Sequence, residues 1–352
     1  MACHTTLEPF IATPFEPDFS QLAAVLEKRI PDRPTAFEFL INDPYLFRFL
    51  GSDAQPDTSY TTEGLAKRSI CYQHAGYDYI RILGTTGFYL YNGKKKREKS
   101  LSQNDGGVIN DRKSFNQYQW MEPENANYAP IFKAQNYLPK GMKIITDGPK
   151  GVLENVTDIV GYDNLCYMLA DDPGLASDLF EAVGNRLLRY YRICVQSEHV
   201  GAIIANDDWG YNTQTLLPPA VLRKYVFPWY REIVKSAHEH GKYAILHSCG
   251  MLDEVMDDIV NDIGFDARHS YEDKIRPVEV AYELHAGQIA VVGGIDMNFL
   301  CNSQPEEINR RGEAMLDRVA VRGGYALGSG NSIPDFVPFE NYLALLSPTR
   351  FT

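Results

Sequence analysis

The chain has 352 residues, 44% hydrophobic and 23% charged, which is enough apolar material for one large core and excludes a disordered chain. Its net charge of −12 argues against nucleic acid or an anionic membrane as a partner, and no stretch approaches the roughly 18 consecutive apolar residues of a membrane span. Six cysteines (Cys3, Cys71, Cys166, Cys194, Cys249, Cys301) lie scattered without CxxC spacing, and nothing after Met1 reads as a leader, so a cytoplasmic protein is expected.

Residues 1–34 read as a helical extension, with a start signal at Ser20. From Thr35 onward, short β-branched and aromatic runs alternate with longer amphipathic segments, the pattern of βα units around a parallel sheet. The predicted strands are Thr35–Ile41, Tyr77–Leu83, Met142–Thr146, Gly201–Ala205, Tyr243–His247, Phe265–Arg268, Ile289–Val292 and Tyr325–Leu327. Helix starts are signalled at Thr61 to Glu63 and at Asp172 to Leu175, where a cap residue precedes Pro173. Eight strands in this length match a closed (β/α)8 barrel better than an open doubly wound sheet. A single domain over 1–352 is expected. Residues 85–141 break the pattern and read as an insertion over the barrel mouth, opening on a hairpin arm. Within it, the run Lys94-Lys95-Lys96-Arg97 reads as a solvated tip or, alternatively, a docking contact for an acidic partner.

In a barrel the residues that end each strand converge on one face. Here they include Glu38, Asp147, Asn206, Asp207, Asp208, His247, Cys249, His269, Glu272, Asp296, Ser329 and Asn331. His247 and Cys249, two apart at a strand end, share one side of an extended chain and suit zinc; the plain alternative is a buried histidine beside an inert cysteine. The stretch Asn206-Asp207-Asp208-Trp209-Gly210-Tyr211 places two carboxylates and two aromatics after a strand, either as catalytic acids or as a helix-capping loop. Gly328-Ser329-Gly330 is an anion cradle or a tight turn. Phe88, Tyr89, Tyr91 and Trp120 offer an aryl ligand a stacking surface, or belong to ordinary core.

Taken together, Gly161 to Leu165 with Asp172-Pro173, Asn206 to Gly210, Phe227 to Arg231, His238 to Lys242 with His247 to Gly250, Gly293 to Asp296, and Gly323 to Tyr325 with Asn331 to Pro334 and Pro338 to Tyr342 resemble the uroporphyrinogen decarboxylase superfamily. The resemblance implies a (β/α)8 barrel. Nothing between Met1 and Gly51 matches the Arg-rich segment with which the decarboxylases grip a porphyrinogen. The His-x-Cys pair is similar to the corrinoid-dependent methyltransferase branch, where zinc is held by that His, that Cys and a later Cys. Ser329 stands at the later position, which disfavours thiol methylation, and Glu272 is the expected substitute ligand.

The resemblance therefore implies an O-demethylase-like enzyme moving a methyl group from a methoxylated aromatic to the cobalamin of a separate corrinoid protein. His247, Cys249 and Glu272 are the expected zinc ligands, Asp207 and His269 the expected catalytic pair, and Asn206, Trp209, Tyr211 and Asn331 the expected pocket lining. Cobalamin is expected from the partner, since the chain has no Asp-x-His-x-x-Gly lower-ligand motif. A decarboxylase, a methylcobalamin:thiol methyltransferase and a non-catalytic corrinoid-binding barrel are the alternatives.

Overall fold

A computed structural model describes residues 3–91 and 107–351; the basic run Lys94 to Arg97 lies outside them. Seven parallel strands run in chain order around one curled sheet: β1 Tyr79–Leu83, β2 Lys143–Asp147, β3 Val200–Asn206, β4 Tyr243–His247, β5 Ala267–His269, β6 Ala290–Val292 and β7 Tyr325–Ala326. Residue after residue of β2 and β3 is buried, as expected of parallel strands covered by helices. Among these helices, Pro173–Cys194 starts where Asp172 accepts the Leu175 amide at 2.9 Å, and Thr62–Ala75 where Thr61 accepts the Gly64 amide at 3.1 Å.

The predicted first strand takes the eighth place without a continuous ladder. It meets the chain around β7 in isolated parallel bridges, Ala36 with Leu327 and Ile41 with Ile333, and the Phe37 amide donates to the Leu327 carbonyl at 2.8 Å. On the β1 side a side chain does the pairing. The Tyr79 hydroxyl accepts the Glu38 amide and donates to the Glu38 carbonyl, each at 2.7 Å. The fold is thus the expected α/β barrel, with its seam closed by a tyrosine.

The helix Phe19–Leu26 lies at the amino ends of the strands. It buries Phe19, Leu22, Val25 and Leu26, and is capped by Asp18 rather than started at Ser20. In the segment between β1 and β2, Thr86 forms only an isolated antiparallel bridge with Asn127. Phe88 stacks on Tyr190 at 5.4 Å, and Trp120 packs on Tyr118 at 4.6 Å with the Arg186 guanidinium over it at 4.8 Å. These two rings serve packing, whereas Tyr89 is exposed.

Candidate functional site

The register of β3, β4 and β5 sets Asn206, His247 and His269 side by side at the carboxyl ends of their strands. Just beyond them, two loops are tied together. The Trp209 amide donates to Ser248 Oγ at 3.0 Å, the Cys249 amide to Asp208 Oδ1 at 2.8 Å, and the Met251 amide to the Tyr211 carbonyl at 2.8 Å. Gly250 makes the approach feasible: its φ is +85°, and a Cβ there would stand 2.3 Å from the Gly210 backbone.

One consequence is a cluster of three different donors. Ligand atoms of Asp208, His247 and Cys249 all lie within 4.8 Å of one another, with His247 Nε2 3.9 Å from Cys249 Sγ. The sulfur also accepts from Asn331 Nδ2 at 3.3 Å and from Ser270 Oγ at 3.5 Å. Burial first, then the Asp208 charge, pushes the thiol up to about 12. Nitrogen, sulfur and oxygen converging from three side chains is the donor set of a catalytic zinc site, so these residues fit the metal.

The carboxylate in the cluster is Asp208; the expected ligand Glu272 is not part of it. Glu272 lines a small hollow with Arg268, Ser270, Tyr271 and Arg276 instead.

Behind the cluster runs a buried polar chain. His247 Nδ1 lies 2.7 Å from His269 Nδ1, His269 Nε2 lies 3.0 Å from the Ser329 carbonyl, and Ser329 gives its amide (2.7 Å) and hydroxyl (2.6 Å) to the Glu38 carboxyl. Burial holds both imidazoles neutral, with His269 brought down to about 4 and His247 well below its usual value. His269 is fully buried with both nitrogens occupied, and Ser329 turns its hydroxyl to Glu38.

Asp207 points the other way. It is fully buried and accepts four hydrogen bonds, from the Leu153 and Glu154 amides, Trp209 Nε1 and the Tyr230 hydroxyl, at 2.8 to 2.9 Å. Two of these donors are amides in the first turn of the helix Val152–Val160, so Asp207 closes that helix's amino end. Gly151 allows it, since a Cβ there would sit 2.1 Å from the Asp207 Cβ. Trp209 is fully buried against Phe227, Tyr230 and Phe265, which places it in the core rather than in a pocket wall. Tyr211 is 62% exposed on its loop, and Asn206 is half-buried.

An open cleft of about 470 Å³ lies one layer of side chains away, lined among others by Ile41, Tyr60, Arg68, Arg81 and Ile333 and by none of the three cluster residues. It shares neighbours with the cluster. The Arg81 guanidinium lies 5.4 Å from the Phe39 ring, which stacks on His247 at 3.9 Å, and the cleft residue Ser332 follows Asn331. Arg81 is ion-paired with buried Asp147.

Sequence reasoning passed over Asp208 and Glu38 as site residues. Strand parity is the signal for the first: Asn206 pairs with His247, and alternate side chains share a face, so Asp208 belongs on the Cys249 side and Asp207 on the opposite one.

Burial also carries a pH dependence. Desolvation raises the Glu38 carboxyl from 4.5 to about 8, against the opposing Ser329 bonds. The folded protein then keeps a proton that the unfolded chain releases. Its stabilising effect is full below 4.5 and fades as pH rises through about 8. In denaturant titrations, Glu38→Gln should gain on wild type by on the order of 2 kcal/mol between about pH 5.5 and about pH 7.5. A gap that does not vary with pH would mean that Glu38 titrates normally.

Among the described residues no helix is long and apolar enough to cross a membrane. No curated protein matches this chain in sequence. Of the solved structures, a methyltransferase from Methanosarcina mazei superposes with a TM-score of 0.67 at 16% identity, covering 94% of this chain and 97% of that one. Xylanase B from Clostridium stercorarium F9 gives a far looser likeness, with a TM-score of 0.37 at 10% identity over 63% of this chain and 84% of its own. The first likeness supports the barrel. The family model described as Uroporphyrinogen decarboxylase (URO-D) matches residues 115–350, more than half of the chain, including Asp208, His247 and Cys249 but not Glu38; the protein belongs to that family.

Proposed function

We propose that this protein is a zinc-dependent methyltransferase that moves a methyl group from a small oxygen-bound donor, such as a methoxylated aromatic, to the cob(I)alamin of a corrinoid protein supplied in trans. The observation that carries the reading is the cluster of Asp208, His247 and Cys249, one layer of side chains from an open cleft. A cluster with one sulfur suits an oxygen donor better than the sulfur-rich sites suited to thiols. The likeness in fold to a structure described as a methyltransferase agrees with it.

Asp208, His247 and Cys249 would hold the zinc, which when bound acts as a Lewis acid on the donor oxygen. Ile41, Ile333 and Tyr60 provide apolar and aromatic surface for an aryl ring in the cleft. Asn331 and Ser270 orient the Cys249 sulfur through their hydrogen bonds. We assign Asp207 and His269 to positioning, since their polar atoms are already occupied within the protein, and Trp209 to supporting Asp207. The protein is proposed to work in the cytoplasm as a single barrel domain.

The test is anaerobic: protein, a reduced corrinoid protein and a panel of methoxyarenes, methanol and methylamines, followed by the visible spectrum of the corrinoid. Methylcobalamin should form from at least one oxygen-bound donor, and activity should fall at least a hundredfold in Cys249→Ala, the order of loss seen when a catalytic group is removed. Arg81 in the cleft favours one second reading, decarboxylation of a small carboxylated substrate. Release of carbon dioxide with no methylcobalamin from any donor would establish it instead.

A further inference from the structure

We propose that Glu38, remote from the cluster, is a positioning residue of the metal centre: acting through Ser329 and His269, it fixes which nitrogen of His247 presents a lone pair to the metal. The proposal rests on the metal reading above.

It follows from which groups are able to donate. A carbonyl oxygen only accepts, so His269 Nε2, 3.0 Å from the Ser329 carbonyl, carries its ring's hydrogen. His269 is fully buried and its nitrogens meet only Ser329 and His247, so a charged ring would stand uncompensated. The neutral ring has one N–H, which leaves His269 Nδ1 as an acceptor. His247 Nδ1, 2.7 Å away, must therefore donate. What remains on His247 is a bare Nε2, the nitrogen that faces Cys249 Sγ at 3.9 Å.

The direction of this chain is set at its far end. Were the Ser329 carbonyl to turn away, His269 would be free to adopt the other tautomer, and His247 Nδ1 would face a hydrogen instead of a lone pair. Two groups oppose the turn: the Gly294 amide donates to that carbonyl at 2.8 Å, and Glu38 grips Ser329 at its amide and at its hydroxyl. Glu38 is itself immobilised, because its own amide and carbonyl are both bonded to the Tyr79 hydroxyl. A second contact orients the His247 ring, which stacks on Phe39, one residue along from Glu38. The segment that lacks a full strand ladder thus supplies two groups that hold one ligand in place.

The experiment has two parts. Nitrogen-15 NMR of histidine-labelled, metal-free wild type should show His247 protonated at Nδ1 and His269 at Nε2; the opposite tautomer on His247, or an even mixture, would overturn the proposal. Chelator competition then measures zinc affinity. Glu38→Leu should bind zinc roughly 10- to 100-fold more weakly, whereas Glu38→Gln, which can still accept from the amide and donate to the hydroxyl of Ser329, should stay within about threefold of wild type. Equal affinity in wild type and Glu38→Leu would also overturn it. Should Glu38→Leu not fold, Ser329→Ala takes its place, since it keeps the carbonyl and loses the hydroxyl contact with Glu38: weaker zinc binding is expected, and affinity equal to wild type would overturn the proposal. Wild type that binds no zinc would instead defeat the metal reading, while the NMR result reports independently on the hydrogen-bonded chain.

Discussion

Asp207→Ala should lose on the order of 4 kcal/mol or more of folding stability, read as a lowered midpoint in urea or thermal unfolding. The substitution strips the acceptor from four buried donors at once: two first-turn amides of Val152–Val160, the Trp209 indole and the Tyr230 hydroxyl. No water reaches them, since Asp207, Trp209 and Tyr230 are all at most 1% exposed. Asp207→Asn should cost less, about 1–3 kcal/mol, because its oxygen can face the three donors now at Oδ2 while its amide meets only the Glu154 N–H. Variants that keep wild-type midpoints yet lose all activity would instead restore Asp207 to the catalytic role that the sequence suggested.

The second large effect is expected at the cluster, and it should be the reverse in kind. Cys249→Ala should bring zinc from near one per chain to near none, with the metal-free unfolding midpoint nearly unchanged, because Cys249 is partly exposed and its sulfur makes only weak hydrogen bonds. His247→Ala should lose the metal too, but with a stability cost, since its ring is buried against Phe39 and His269. Asp208→Ala against Glu272→Ala separates the two candidate carboxylates. The first should release zinc; the second should retain it. Zinc retained by Asp208→Ala and lost from Glu272→Ala would reverse the assignment.

How far the sequence disclosed this molecule depends on the range of the forces involved. The strands of the sheet were legible because burial on both faces demands continuous apolar, β-branched runs, as in Val200–Asn206, where Val200, Ile203 and Ile204 carry the signal. The segment Thr35–Ile41 has the same local character, but its ladder is broken, for its partner toward β1 is the side-chain hydroxyl of Tyr79, 41 positions away. Pairing of that kind leaves no periodic trace.

The site was legible in part for a similar reason. His247 and Cys249 stood out because their spacing is local, and Asn331 because it follows the last strand. Asp208 was passed over because neighbours on an extended chain face opposite ways and only the register with His247 says which of Asp207 and Asp208 faces the cluster. Trp209 looked like a pocket wall because aromatics near strand ends often are; here its indole was needed to satisfy Asp207. Glu38 was visible as a strand-end carboxylate, but its link to Ser329 spans 291 positions and no local pattern encodes it.

The most direct measurement is X-ray absorption at the zinc edge of the protein purified without chelators, with metal content determined on the same sample. About one zinc per chain is expected, with a single sulfur neighbour near 2.3 Å and nitrogen or oxygen neighbours near 2.0–2.1 Å. That shell would match Cys249, His247 and Asp208, with a position left for the donor oxygen. A shell with two or more sulfurs would contradict the assignment of one cysteine, and protein that holds no zinc at all would remove the metal from the account.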